Sequence, residues 1–499
     1  MRGQFLLGVS GLVLAFFEIQ TPNPNMFLRQ IPDHALAQYA YIIGCQRTGE
    51  AIVVDPERDL DRYFDVAAAN DLRITAVAET HIHADYLSGA RELVERHGAA
   101  AYLGGEGGPD WQFEWALGKP SVTLLKHGDE FMIGNIRIKT LHTPGHTPEH
   151  VSFLVTDEGG GADQPVALLT GDFIFVGDVG RPDLLESAAG QEGAMEPSAR
   201  TLYASLRATA NVPEHVQILP AHGAGSACGK ALGAVPMSVI GYERKFNAPM
   251  REALEGDEEA FVSHILDGQP EPPKYFARMK RDNRAGPKLL SQGRLPQPDA
   301  LYASGLAEWL EAVPTAILDL RADAKAFAAR HLRGAIHAPL AGGNLPIVAG
   351  SYLDDDTRVL LVAESQADVD EAVRQLVRIG MDQITGWITV VEALASDAKL
   401  GKIKSIATKD LPAGANVLDV RRAGEFKAGH VKGATNIAHT RLGARIYDVP
   451  KGDTLHVHCH TGSRAAMAAS FLASTGRDVV WVDGDFGDIP ENLIEHGDA

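Results

Sequence analysis

At 499 residues the chain exceeds what one ordinary hydrophobic core holds together, so two to four domains are expected. A 45% hydrophobic and 22% charged composition is that of a soluble globular protein. The formal net charge of -19 supplies no basic surplus to neutralise phosphates, which argues against nucleic acid or an anionic membrane as partner, while local basic pockets for small anions stay open. The three cysteines, Cys45, Cys228 and Cys459, are odd in number and far apart. They do not make a disulfide framework and suit a reducing compartment.

Taken in chain order, Arg2 followed by Phe5 to Phe17 has the charged and apolar regions of a signal peptide but no small-residue cleavage site, and is too short to span a bilayer. A start upstream of the true one, near Met26, accounts for residues 1–25 equally well. The expectation is cytoplasmic, with periplasmic export if the stretch is a real signal. From Met26 short apolar strands alternate with helices. Ala51 to Val54, Ile74 to Ala78, Phe131 to Leu141, Val151 to Thr156 and Val166 to Thr170 read as strands, and Leu87 to His97 and Pro197 to Ala208 as helices. Residues 267–299, rich in Pro, Lys, Arg and Gln, read as a linker.

Beyond it the sequence repeats with a period near one hundred residues. Ile317-Leu318-Asp319-Leu320-Arg321 recurs as Val417-Leu418-Asp419-Val420-Arg421, and His331-Leu332-Arg333-Gly334-Ala335 as His430-Val431-Lys432-Gly433-Ala434. Each copy continues with a strand and a helix, which implies an α/β unit with a parallel sheet over 300–400 and again over 405–499. These signatures resemble the rhodanese family. In the second copy the strand enters Cys459-His460-Thr461-Gly462-Ser463-Arg464, the Cys-x4-Arg loop of active rhodaneses. Backbone N–H groups at such a helix start cradle an anion, so Gly462 and Ser463 read as substrate-binding. With Arg464 they lower the thiol pKa and stabilise a persulfide on Cys459. The first copy has Ala363-Glu364-Ser365-Gln366-Ala367-Asp368 there, with no cysteine and an acid in place of the arginine. It reads as structural or interacting.

The N-terminal region carries Thr80-His81-Ile82-His83-Ala84-Asp85-Tyr86 just past a strand. Two imidazoles and a carboxylate at alternating positions can converge on one metal, although a solvated polar turn explains the heptapeptide alone as well. Downstream stand His142-Thr143-Pro144-Gly145-His146, Thr170-Gly171-Asp172 and Pro220-Ala221-His222-Gly223. The four motifs in this order resemble the metallo-β-lactamase superfamily, whose ligands come from loops at strand ends. The resemblance implies an αββα sandwich over residues 26–266, followed by two rhodanese-like α/β domains with parallel sheets.

In that superfamily the residue after the first motif's Asp is a His that binds a second ion; here it is Tyr86, and a neutral phenol is a poor zinc ligand. His81, His146 and Asp172 remain, two imidazoles and a carboxylate, the facial set of mononuclear iron(II) oxygenases. The chain as a whole resembles bacterial persulfide dioxygenase–rhodanese fusions. That resemblance implies one Fe(2+) per chain on these three residues (Zn(2+) being the alternative), with His83, Asp85, Tyr86 and His222 orienting the ligands through hydrogen bonds. For His83 and His222 direct ligation in a zinc form stays open. Asp178 and Arg181 lie in the loop that borders the substrate in such enzymes; Arg181 either forks a substrate carboxylate or pairs with Asp178 or Asp183. Cys228 is a candidate sulfur relay or a small packed residue, and Cys45 reads as buried. The implied partners are a small-molecule persulfide, dioxygen, sulfite and thiosulfate, with no nucleic acid or membrane and homo-oligomer formation left open. The implied function is sulfide detoxification: oxidation of a low-molecular-weight persulfide to sulfite, coupled to sulfur transfer giving thiosulfate. The rival readings are a zinc thioester hydrolase of the glyoxalase II type with accessory rhodanese modules, and a non-catalytic sulfur carrier in which only Cys459 matters.

Overall fold

The computed structural model describes residues 25–187, 192–452 and 454–497; the signal-like stretch Phe5 to Phe17 lies outside them. The N-terminal strands are apolar at nearly every position, and successive strand side chains point to opposite faces. A sheet of such strands must be covered on both sides. Ile43, Val54 and Ala78 meet Phe131, Ile138, Phe153 and Leu169 between two sheets. Their neighbours Ile42, Val53 and Val77 meet Tyr63 and Leu93 of the helices Asp61–Ala68 and Ala90–His97. On the far face of the second sheet, Leu168 and Ile218 meet Leu202, Leu206 and Phe261 of the helices Met195–Ala208 and Glu258–Leu266. The result is an αββα sandwich.

The first sheet takes Met26–Asp33, Gln38–Cys45, Glu50–Val54, Arg73–Ala78, Ala100–Gly104 and Val122–Leu125 in chain order. The second runs from Glu130–Ile133 through Ile136–His142, Val151–Asp157, Ala167–Gly171 and Gln217–Pro220 to Ser238–Val239.

The segment expected to be a linker is structured. Residues 276–285 form the helix Phe276–Ala285, whose Phe276 and Met279 join a core shared with the C-terminal half. Its Pro, Lys and Arg content hid an apolar stripe at helical spacing.

The C-terminal half holds two five-stranded sheets with one strand order. The first is Asp299–Ala300, Ile384–Thr389, Val359–Ala363, Ala316–Asp319, Ala335–His337. The second is Lys404–Ala407, Val479–Asp483, Leu455–His458, Asn416–Asp419, Thr435–Asn436. Every pairing in both is parallel.

The first repeat docks on the sandwich through buried charge. Arg378, on the helix Gln366–Arg378, reaches Asp33 at 3.0 Å, Glu57 at 3.3 Å and Asp59 at 2.6 Å. Arg58 answers from the other side with Asp382 at 2.8 Å, and Arg374 pairs with Asp61. Because both partners of each central pair are desolvated, removing one strands the other. No helix among the described residues is long and apolar enough to cross a membrane.

Candidate functional site

His81, His83 and Asp85 follow the strand Arg73–Ala78, His146 follows Ile136–His142, Asp172 follows Ala167–Gly171 and His222 follows Gln217–Pro220. Their strands end on one rim of the sandwich, so residues distant in sequence meet there. One ligand atom each of His81, His146 and Asp172 lie within 4.8 Å of one another, all buried. His146 Nε2 is 3.5 Å and His81 Nε2 3.9 Å from Asp172 Oδ2.

The surrounding hydrogen bonds set the tautomers. Thr80 Oγ1 donates to Asp55 Oδ2 at 2.9 Å, so it accepts from His81 Nδ1, also at 2.9 Å. His146 Nδ1 donates to the Arg181 carbonyl at 2.9 Å. Each ring is left with an Nε2 lone pair facing the shared point. His146 Nε2 and Asp172 Oδ2 are buried without a hydrogen-bond partner among the described residues, which fits a bound cation. Burial, reinforced by neighbouring imidazoles and by Lys280, holds His81 and His146 well below the ordinary histidine range, the neutral form a metal takes. Gly171 is required next to the carboxylate: its φ is +52°, and a Cβ would meet Thr80 Oγ1 at 2.6 Å and His150 Nε2 at 2.7 Å.

His222 is held between two carboxylates, Nδ1 at 2.6 Å from Asp172 Oδ1 and Nε2 at 2.8 Å from Asp85 Oδ2. Burial opposes its charge, but Asp172 and Asp85 push it up to about 10. His83 Nε2 lies 3.1 Å from both Asp55 Oδ1 and Glu79 Oε2. The Tyr86 hydroxyl donates to the Asp55 carbonyl at 3.1 Å. Two further donor sets compact enough for a cation are Asp85, His222, Cys228 and Asp55, Glu79, His83. Cys228 is buried, and burial together with Asp85 and Asp172 pushes its thiol well above the ordinary range, which disfavours the nucleophilic thiolate a relay needs.

Of the two readings left open for Arg181, the pairing with Asp183 is the one the structure contains. Its guanidinium is fully buried and forks Asp183 at 2.7 and 2.6 Å, and it also donates to the Ala227 and Pro270 carbonyls. Its donors are spent inside the fold. Asp178 likewise serves the backbone, accepting from Val179 N and Ala231 N, both at 2.9 Å.

Sequence reading passed over three buried residues around the triad. His150 Nε2 accepts from Asp172 N at 3.1 Å. Glu149 Oε1 accepts from Ile82 N at 2.7 Å, between the two histidines of the first motif. Lys280 lies on the supposed linker. The histidine and the glutamate stood in the sequence beside a motif already read; the lysine had no local signal.

In the second repeat the buried Cys459 sulfur accepts from Ala465 N at 3.4 Å. Gly462, at φ +89°, turns the chain into the helix Ser463–Ser474, and a Cβ there would meet Asp483 Oδ1 at 2.8 Å. Arg464 forks Glu425 at 2.7 and 2.8 Å. Burial opposes the Glu425 charge, but Arg464 and the Arg422 backbone bring the carboxyl down to about 2. A cavity of about 410 Å³ adjoins this loop, walled by Ser226 and Ala227 of the sandwich, Ile347 of the first repeat and Arg422, Glu425 and Arg464 of the second.

The sandwich with a histidine–carboxylate cluster at its rim, joined to a parallel-sheet unit with a Cys-x4-Arg loop, defines a metal-binding α/β protein with a rhodanese-like C-terminal domain. The pattern described as Metallo-beta-lactamase superfamily matches residues 35–222, and that described as Rhodanese-like domain matches residues 404–489. A solved metallo-beta-lactamase from Staphylococcus aureus subsp. aureus COL is 37% identical, with a TM-score of 0.64, and the match covers 74% of this chain and 99% of that one. The chain belongs to the metallo-β-lactamase superfamily. It is also similar to a probable polyketide biosynthesis zinc-dependent hydrolase, BaeB, of Bacillus velezensis, 27% identical over 39% of this chain and 77% of the relative. A human hydroxyacylglutathione hydrolase-like protein is 29% identical over 37% of this chain and 55% of its own length.

Proposed function

We propose that the protein oxidises a low-molecular-weight persulfide to sulfite at one iron held by His81, His146 and Asp172, and that Cys459 passes sulfane sulfur to sulfite to give thiosulfate. The observation carrying this reading is that three donors face one point while the groups that would complete a second site are engaged: His222 by Asp172 and Asp85, and the Tyr86 hydroxyl by Asp55. A two-histidine, one-carboxylate set leaves open positions for two reactants. Iron bound there supplies the dioxygen chemistry.

The chain's own residues fix the geometry. Thr80 and the Arg181 carbonyl orient the two imidazoles, and His222 holds Asp172 by one oxygen so that the other faces the site. Persulfide, dioxygen and water become thiol, sulfite and two protons. At the second site the Cys459 thiolate attacks the outer sulfur of another persulfide, and the carrier thiolate leaves with the electron pair. Sulfite then takes that sulfur as thiosulfate and regenerates the cysteine.

Metal analysis after anaerobic purification, with oxygen uptake on defined persulfides, tests the reading. About one iron per chain and uptake that His146→Ala abolishes support it. A second reading, a dinuclear zinc thioester hydrolase, draws on the Asp85, His222, Cys228 set and on the hydrolase names of the relatives. Two zincs per chain, thioester cleavage and no oxygen uptake would establish that one instead.

A further inference from the structure

The helix Phe276–Ala285 buries Phe276, Met279, Lys280 and Asn283, the i, i+3, i+4, i+7 stripe a helix turns toward its neighbour. Two of these four residues are polar, and only one is satisfied. Asn283 donates to the carbonyls of His83 and Tyr86 and accepts from Ser88 N, which clamps the helix to the loop carrying the first metal motif. Lys280, one turn earlier on the same stripe, is 6% exposed, and its Nζ has no hydrogen-bond partner among the described residues. It lies 5.1 Å from the centroid of the Trp111 ring. Its charge acts on His146, and in turn it feels Glu149, Cys228 and Asp183. Glu149 Oε2 is a second buried atom without a partner.

A desolvated ammonium that faces the Trp111 ring but no hydrogen-bond acceptor is costly to keep, so its place one turn from Asn283, which holds the carbonyls of His83 and Tyr86, points to a ligand that supplies the acceptor. The arginine that sequence reading put forward for that task is forked by Asp183 and unavailable. We infer that Lys280 is a specificity-determining residue of the metal pocket, its ammonium pairing with a carboxylate on the thiol carrier of the persulfide. This rests on the persulfide reading above and narrows it to acidic carriers. Burial brings the amine down to about 8, against the pull of Glu149, so an anion at Nζ meets a group still largely cationic at neutral pH.

The test uses the iron-loaded full chain and its Lys280→Met and Lys280→Arg variants. Oxygen uptake is measured with glutathione persulfide, which bears carboxylates, and with 2-hydroxyethyl persulfide, whose carrier is uncharged. Lys280→Met is expected to raise KM for the first about tenfold or more, leave the second within about twofold, and keep the melting temperature, since an unsatisfied charge is removed; Lys280→Arg restores part of the loss. Equal losses on both carriers, or an unchanged KM for glutathione persulfide, would overturn the assignment. So would a fall in melting temperature without a change in selectivity, the mark of a structural partner of Glu149. Calorimetric binding of S-methylglutathione to the same proteins reads Lys280 independently of turnover. Weaker binding by Lys280→Met, with a wild type that binds the ligand but consumes no oxygen, would leave the carboxylate contact standing and remove the dioxygenase reading alone.

Discussion

The two C-terminal repeats share a strand order and differ at a handful of atoms. Both keep the pair that shapes the loop after the strands Ala316–Asp319 and Asn416–Asp419: Arg321 forks Asp319 and donates to the Arg330 carbonyl, and Arg421 forks Asp419 and donates to the Gly429 carbonyl. Both stack a phenylalanine on the histidine four residues later, Phe327 on His331 and Phe426 on His430. The departure lies at the helix start. In the second repeat three residues separate Cys459 from Ser463, with left-handed Gly462 last and Arg464 forked on Glu425. In the first, two residues separate Ala363 from Gln366, and Ser365 caps the helix in a reciprocal pair with Asp368. A side-chain cap there satisfies the N–H groups that would otherwise receive an anion. Aligned on the stacked phenylalanines, Ala326 stands where Glu425 does. The arginine and its carboxylate partner are thus exchanged together, whereas the pairs that hold the backbone remain.

This contrast is open to direct attack. The largest effect is expected from Cys459→Ser, which should lower sulfur transfer to sulfite by about a thousandfold or more while oxygen uptake persists. Loss of uptake as well would mean that the two sites do not divide the work. Arg378→Met should cost about 3–5 kcal/mol in chemical denaturation, because Asp33, Glu57 and Asp59 would lose a buried cation, with Arg62 and Arg374 left beside the last two alone. Ser474→Ala, at the corresponding helix end of the active copy, should cost under about 1 kcal/mol, its hydroxyl donating only to Phe471 O. Glu425→Gln should slow sulfur transfer by about tenfold by releasing Arg464, with the KM for persulfide as readout. The sign with pH follows from a folded value of about 2 against an ordinary 4.5: the stabilisation is complete above about pH 4.5 and is lost as pH falls toward 2. The Gln variant should lack that acid limb in an unfolding titration. Ser365→Ala should cost about 1 kcal/mol through the lost cap and leave both activities unchanged.

Local pattern made much of the molecule legible. Alternation marked the strands, and motif order placed His81, His146 and Asp172 on one sandwich before any geometry was known. Repetition revealed two copies, and the missing cysteine set one apart from the other. What escaped depends on partners remote in sequence. Nothing around residue 280 tells that a Lys-Arg-rich stretch hides an apolar stripe facing residues 83 to 88. The fate of Arg181 turned on which of its neighbours folds back onto it, and a two-residue fork with Asp183 is indistinguishable in sequence from a free side chain. His150 and Glu149 were in plain view, but their work is to hold backbone N–H groups, which no composition signal reports.

The helix that carries Arg374 and Arg378 gives the copy without the cysteine a reason to persist. Its surface has become a pedestal for the metal domain, three of whose acids share the Arg378 guanidinium there. Excising that copy would unmask the acids along with the apolar face around them, so trimming the protein to its two chemically equipped parts should produce an insoluble remnant rather than a smaller enzyme.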